Sequence, residues 1–525
     1  MRRPSRSFAC LLLAVATTLC AQAPAQSAVA PELRVTRAYH TAIDGGPLAL
    51  QAFLAGFPKG ADLHVHLSGA VYAESFIRDA GEDGLCVDPA ALSFAKPPCD
   101  KPLIPAGQLS GVITAANQSL YDRLIDSFSM RGFVPTPGFS GHDQFFSTFG
   151  RFSGLSKGHM GEWVDDAASR AAAQNQQYLE LMESPPHAHA AQIAGEIGWS
   201  VDITNLDFSQ LRKALLDHGL RDEVPIDRDD VRAIEAQRRQ IERCGTPLAA
   251  PACQVEVRYI YQVSRGAPPE QVLAQTLLGF ETVQASMEAH KPGFVGINFV
   301  QPEDGLIAMR DYTLQMRMLD YLHSVYPKVP ISLHAGELAP GLVPPEGLRF
   351  HIRQAVELGH AERIGHGVDV MYEDDAPALL KEMAQKHVMV EINLSSNEGI
   401  LGIKGADHPF PIYRAAHVPV AISTDDEGVS RIDITHEYVR AALDYHLIYR
   451  DLKQLARTGM EHAFLPGASL WAAQDDFTAP AAACKGQLLG SGKRTTTCKA
   501  FLDGSEKASA QWELERRFRE FEARF

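Results

Sequence analysis

The sequence predicts an α/β fold closed as a (β/α)8 TIM-type barrel. Three observations predict it: eight short apolar segments, helix-patterned stretches between most of them, and polar clusters placed where several of those segments end. Strand alternating with helix implies a parallel sheet. Eight such strands close into a barrel whose working face is the carboxyl end. An open doubly wound sheet is the alternative. It usually binds a nucleotide through a Gly-rich first turn, and neither G-x-G-x-x-G nor a Walker loop occurs here.

The strands are expected in order at Ala61–Leu67, Gln177–Met182, Val255–Val263, Phe294–Val300, Val329–His334, Arg363–His366, Val388–Leu394 and Val418–Thr424. Helical patterning is expected at 112–130, 161–177, 268–290, 309–325, 347–358 and 375–386. Residues 82–110, rich in Pro and Gly, read as a surface excursion, and 190–252 as a polar, helical insertion. The barrel is thus expected over 55–470, with an amino-terminal segment at 26–54. Residues 471–525 form a loop and an amphipathic helix packed on the outside.

The chain opens Met1-Arg-Arg-Pro-Ser-Arg and runs into Phe8-Ala-Cys-Leu-Leu-Leu, with Ala23-Pro-Ala25 before Gln26. A basic start, a short apolar core and an A-x-A site make residues 1–25 a secretory signal. The apolar core is too short to anchor the chain across a bilayer. An exported location follows, periplasmic or secreted. Six cysteines lie beyond the signal, as the close neighbours Cys86 and Cys99, Cys244 and Cys253, Cys484 and Cys498. In an oxidising compartment such an even set reads as loop-stapling disulfides. A thiolate metal site is the rival reading, and no C-x-x-C supports it. Removing the signal removes three Arg and no acid, taking the formal charge from -15 to -18. With no basic stripe, that surface argues against nucleic acid as a partner.

The chemistry-bearing residues sit at strand ends. In His64-Val-His66 the two imidazoles are two residues apart on a strand and face the same side. His334-Ala-Gly-Glu337 ends the fifth strand, and Ser423-Thr-Asp-Asp426 ends the eighth. Ile364-Gly-His366-Gly sets a histidine between glycines, where backbone and ligand can approach closely. His64, His66, His334 and Asp425 would together give one zinc nitrogen and oxygen ligands. A catalytic zinc keeps a position for water and makes it a nucleophile at neutral pH. Glu337 would be free to shuttle protons, with His366 and Asp426 placed to orient the reactants.

His64-x-His66, His334-Ala-Gly-Glu337, Gly365-His366-Gly367 and Thr424-Asp-Asp426 resemble, in order and in strand, the motifs of adenosine deaminases in the amidohydrolase superfamily. Pro58-Lys59 before the first strand resembles the family's opening, and the likeness covers about 55–465 apart from the insertions. The signal and cysteines resemble the exported branch, to which growth-factor-like members belong. The resemblance implies one zinc on His64, His66, His334 and Asp425. It implies that Glu337 protonates the purine ring N1 as hydroxide attacks C6. His366 would stabilise the attacking oxygen, and Asp426 would act on it or hold ring N7. The bridging lysine of binuclear relatives is missing from Phe294–Glu303, which favours one metal.

Three positions depart from the family pattern, and all three are expected to touch substrate recognition. Ser68 stands where an acid often meets the ribose 5′-hydroxyl, Gln301 where a glycine lets the backbone reach ring N3, and Glu427 where a proline is usual. Ser395-Ser-Asn397 is expected to be structural, and Glu183 and His187 to be loop residues. The expected activity is zinc-dependent hydrolytic deamination of adenosine or a related 6-aminopurine nucleoside. The partners expected are that small molecule and, at most, a second copy in a homodimer. The alternatives are another exported zinc amidohydrolase and a non-catalytic secreted binding protein that keeps the barrel. The Glu337 and His366 pair argues against the first. An intact set of ligand residues argues against the second.

Overall fold

The computed structural model describes residues 31–111, 114–199, 206–289 and 293–525. The expected signal at 1–25 lies outside them. Eight parallel strands form the centre: β1 (Gly60–His66), β2 (Gln176–Glu183), β3 (Glu256–Ser264), β4 (Phe294–Val300), β5 (Ser332–Ala335), β6 (Arg363–His366), β7 (Met389–Ile392) and β8 (Val420–Ile422). They pair as two four-stranded sets, β1-β2-β3-β4 and β5-β6-β7-β8. Parallel bridges join the sets at both seams, Ile297 with Ile331 and Val65 with Asp425. The sheet is therefore a closed (β/α)8 barrel.

The strands are buried along nearly their whole length, because helices cover the outside and side chains fill the inside. That explains why they read as apolar runs rather than as alternations. Helices Pro269–Glu288, His351–Glu357 and Ala376–Lys386 fall within three of the expected stretches, and Leu306–Val325 covers a fourth, starting three residues earlier than expected. The expected 112–130 helix is shorter, Gln118–Ser127.

At the β1/β8 seam, Asp425 N–H donates to His64 O (2.8 Å) and His66 N–H to Asp425 O (3.1 Å). Thr424 Oγ1 donates to Asp62 Oδ2 at 2.8 Å, a side-chain stitch across the same seam. Below β1, the buried Lys59 ammonium donates to the carbonyls of Leu54, Phe57 and Gln174. Three acceptors for three N–H groups make this cation a staple at the strand's start.

The additions to the barrel carry the cysteines. Residues 82–110 hold a small antiparallel sheet, Cys86–Asp88 between Ser93–Ala95 and Ile104–Pro105, with Cys86 bonded to Cys99. Strands this short leave no alternation to read, and the sequence shows only the loop. Helices Ala188–Ile197, Phe208–Asp217 and Val224–Ile241 make up the second addition, closed by Cys244–Cys253. Cys484–Cys498 staples the carboxyl-terminal loop beside the hairpin Trp471–Ala473 and Asp476–Pro480. The last helix, Glu506–Glu522, buries Trp512, Leu514, Phe518 and Phe521. Phe518 and Phe521 lie 5.6 and 5.9 Å from the Phe57 ring, at the base of β1. No described helix is long and apolar enough to cross a membrane.

Candidate active site

The carboxyl ends of β1, β5, β6 and β8 deliver the four motifs to one point. Ligand-capable atoms of His64, His66, His334 and Asp425 all lie within 4.8 Å of one another, and Asp425 also joins Glu337 and His366 in a second such group. Asp425 Oδ1 is 3.4 Å from His64 Nε2 and 3.2 Å from His66 Nε2, and His66 Nε2 is 3.2 Å from His334 Nε2. All four residues are buried or nearly so.

The opposite ring nitrogens are held from behind. His64 Nδ1 contacts Glu391 Oε2 at 2.7 Å, His334 Nδ1 contacts Asn298 Oδ1 at 2.6 Å, and the Gln262 amide sits against His66 Nδ1. Ser396 Oγ donates to Asp425 Oδ2 at 2.6 Å. Such partners orient metal-binding imidazoles with one nitrogen aimed inward. His64 Nε2 and Asp425 Oδ1 are buried with no hydrogen-bond partner among the described residues. Burial alone would lower the His64 pKa, but Asp425 and Glu391 raise it to about 10. Two carboxylates thus call for a positive charge at this ring. Burial lowers the His66 and His334 pKa values, leaving bare nitrogens as a metal requires. Three imidazoles and a carboxylate converging on one point fit one zinc ion, which would supply the positive charge that the carboxylates favour at His64.

Local backbone strain accompanies the convergence. His366, Asp425 and Gln301 have φ of +70°, +61° and +89°. Left-handed backbone costs roughly 1–3 kcal/mol at such residues and gathers where a site over-determines the chain. Gly365 serves a purpose the sequence did not reveal. A Cβ there would meet the His64 ring 2.5 Å away, so the missing side chain makes room for a ligand histidine.

Glu337 faces His366, with Oε1 3.6 Å from Nε2. Glu303 Oε1 accepts the Gly336 N–H at 3.0 Å and its Oε2 the Glu337 N–H at 2.8 Å, fixing the turn that follows His334. Glu303 is buried, yet its bond to His351 at 2.5 Å holds its pKa down at about 2. Burial, then Asp425 and Glu303, push the Glu337 pKa well above the carboxylate range. That direction favours the protonated form of the carboxyl. Burial and the adjacent Asp425 push Asp426 up as well.

Above these groups lies a cavity of about 340 Å³. His66, His334, Glu337, His366, Asp425 and Asp426 form its floor, Ser68, Ser184, Ser264 and Gln301 its polar wall, and Phe145, Phe146 and Phe149 an aromatic wall. No lysine or arginine among the described residues lines it. The phenylalanines come from helix Gly141–Arg151, started by a capping box between Ser140 and Asp143. The sequence reading missed this helix, although Phe145-Phe-x-x-Phe149 marks one helical face.

Of the three departures, Ser68 and Gln301 line the cavity. Gln301 adopts the left-handed backbone itself, and its Oε1 accepts the Gly266 N–H at 2.7 Å. Gln301 lines the cavity with that hydrogen bond in place. Glu427 is buried against Arg170, 2.9 Å away, and does not line the cavity. Its expected part in recognition is thereby corrected: it tethers the end of β8 to helix Met160–Ala173. Ser395 and Ser396 support Glu437 and Asp425, and Asn397 supports His366. Glu183 and His187 lie away from the cavity, whereas their neighbour Ser184 lines it.

Residues 235–475 match the model of the adenosine deaminase family. Over 138 residues the chain is 36% identical to the adenosine deaminase of Enterococcus faecalis, covering 26% of this chain and 37% of that protein. Over 135 residues it is 33% identical to that of Clostridium perfringens, covering 26% and 37%. The chain thus spans just over a third of the length of the curated relatives it matches. The structure of adenine deaminase from Arthrobacter aurescens aligns at a TM-score of 0.49 and 16% identity, over 78% of this chain and 94% of that one. The family match contains His334, Glu337, His366, Asp425 and Asp426, while His64 and His66 reach the same point from β1, outside it. Residues 235–475, and the part of the site they carry, belong to the adenosine deaminase family.

Proposed function

We propose that this protein is an exported, zinc-dependent hydrolase that deaminates a 6-aminopurine nucleoside, adenosine or a close relative, releasing ammonia. The carrying observation is a buried carboxyl, Glu337, facing His366 beside three imidazoles and Asp425. His64, His66, His334 and Asp425 would hold the zinc. Bound there, zinc supplies a water acidified enough to act as the nucleophile at neutral pH. Glu337 holds the proton that a ring nitrogen needs when the adjacent carbon is attacked. Giving it up there removes aromatic stabilisation at that carbon. His366 directs Nε2 at the oxygen that adds, and Asp426 holds that oxygen or the ring's far edge. Phe145, Phe146 and Phe149 offer faces and edges to a flat heterocycle. The three serines offer partners to sugar hydroxyls.

A cavity with three carboxyl groups and, among the described residues, no lysine or arginine suits a neutral nucleoside better than a nucleotide phosphate. The export reading draws support from three cysteine pairs bonded within the chain.

The test is ammonia release by the zinc-loaded protein on adenosine, 2′-deoxyadenosine, adenine and adenosine 5′-monophosphate. Turnover of a nucleoside is expected, falling roughly 100- to 10,000-fold in Glu337→Gln with zinc retained. Zinc-loaded protein inert on all four compounds would sink the proposal.

A further inference from the structure

We propose that His408 and Asn397 are positioning residues that place the proton of the neutral His366 ring on Nε2, the nitrogen facing Glu337. One donor in the chain of contacts has a fixed identity. Phe410 N–H donates to His408 Nδ1 at 3.1 Å, so that ring nitrogen is bare. A neutral imidazole with a bare Nδ1 carries its proton on Nε2. His408 Nε2 therefore donates, and its partner, 3.0 Å away, is Asn397 Oδ1. With its oxygen committed, Asn397 turns its NH2 toward His366 and donates from Nδ2 to Nδ1 at 2.9 Å. His366 Nδ1 is then an acceptor, and the ring's one proton sits on Nε2.

The reverse arrangement fails. An Asn397 flipped to accept from His366 would present its NH2 to His408 Nε2. His408 would then need both nitrogens bare, an imidazolate in a buried pocket. One backbone N–H thus sets two imidazole tautomers and an amide in sequence. All three side chains are buried, so water does not compete for these groups. Asn393 Nδ2 adds a second, longer contact to His366 Nδ1 at 3.4 Å, of the same donor type. At the far end, His366 Nε2 has no hydrogen-bond partner among the described residues and lies 3.6 Å from Glu337 Oε1.

The consequence for catalysis rests on the deaminase reading. A ring that points an N–H into the cavity can donate to an oxygen adding to the substrate, and a ring that points a lone pair cannot. The tautomer itself does not depend on turnover, and the test separates the two.

Zinc-loaded full chain labelled with 15N-histidine is examined by long-range 1H–15N correlation, which distinguishes bare from protonated ring nitrogens. His366 is assigned by the signals lost in His366→Gln. The expected spectrum shows His366 with Nδ1 bare and Nε2 protonated. Asn397→Asp puts an acceptor against Nδ1 and should move the proton there. On adenosine, kcat should then fall on the order of 100-fold with KM within about twofold and zinc content unchanged. His408→Leu frees Asn397 to flip and should give mixed tautomers. His408→Gln, whose amide can still donate to Asn397 Oδ1, should restore the native pattern.

A native His366 protonated on Nδ1 overturns the proposal. So does an Asn397→Asp or His408→Leu protein that folds, binds zinc and keeps the Nε2 proton. The expected spectrum with no turnover of adenosine would count against the deaminase reading and leave the relay standing.

Discussion

The two ends of this barrel both bury charge, and they handle it in opposite ways. Toward the amino end, Arg363 lies fully buried between Glu180 (2.6 Å) and Glu391 (2.7 Å), its guanidinium 3.9 Å from the Phe464 ring centroid. A cavity of about 360 Å³ opens beside it, lined by Arg258, Glu362, Glu461, Glu506 and Lys507 among others, acids and bases together. At the carboxyl end the cavity has acids, imidazoles and, among the described residues, no lysine or arginine. His64 Nε2, His366 Nε2, Asp425 Oδ1 and Asp426 Oδ1 are all buried there without a hydrogen-bond partner among the described residues. Where the chain supplies its own counter-charge, buried ions are scaffold. Where like atoms converge on a point and the counter-charge must come from outside, they are chemistry. Glu391 belongs to both ends, with Oε1 toward Arg363 and Ser332 and Oε2 toward His64.

The largest effect is expected at the paired end. Arg363→Met keeps most of the side-chain volume and removes the cation, leaving Glu180 and Glu391 as uncompensated buried carboxylates. Breaking a buried pair in this way costs about 3–5 kcal/mol. The melting temperature of the zinc-loaded protein should drop by several degrees, while any residual folded fraction still binds zinc. A protein as stable as the parent would break the distinction, because it would mean that the barrel does not need its internal cation.

Glu391→Gln tests the residue that joins the two ends. Its effect should be smaller and should appear in the metal. The glutamine can still contact His64 Nδ1, but it no longer carries the charge that raises the ring's basicity. Loss of such a partner typically lowers metal affinity about 10- to 100-fold. Competition for zinc against a chelator reads that directly. Unchanged affinity would assign Glu391 to the scaffold alone.

How much of this was legible follows from the same contrast. His64, His66, His334, Glu337, His366, Asp425 and Asp426 could be read because short motifs at strand ends carry their positions locally. The eight strands were legible because burial on both faces leaves continuous apolar runs. Their supports come from elsewhere in the chain. Asn298 stands 36 residues from His334, Glu303 lies 34 from Glu337, and Glu391 is 327 from His64. No local pattern links such pairs. A signal was nonetheless present: Glu180, Arg363 and Glu391 are ionisable residues on apolar strands, where a charge persists only if something pairs with it. The capping box and the three phenylalanines before residue 152 were legible too, and only the Pro- and Gly-rich surroundings obscured them.

The smallest effect is expected at Gln301, and it puts the distinction to its closest test. This residue sits on the working face and departs from a family glycine, so position alone would assign it to recognition. Its side-chain oxygen, however, is already bonded to the Gly266 N–H, and its φ of +89° is the one a glycine would adopt. Gln301→Gly removes that hydrogen bond, worth about 1 kcal/mol, and relieves left-handed strain of about the same size. Stability should therefore change by less than about 1 kcal/mol. With that side chain already bonded to Gly266, KM for adenosine should stay within about twofold. A tenfold change in KM at unchanged kcat would show the glutamine leaving Gly266 to meet the substrate. A satisfied hydrogen bond would then no longer mark a side chain as scaffold on this face of the barrel.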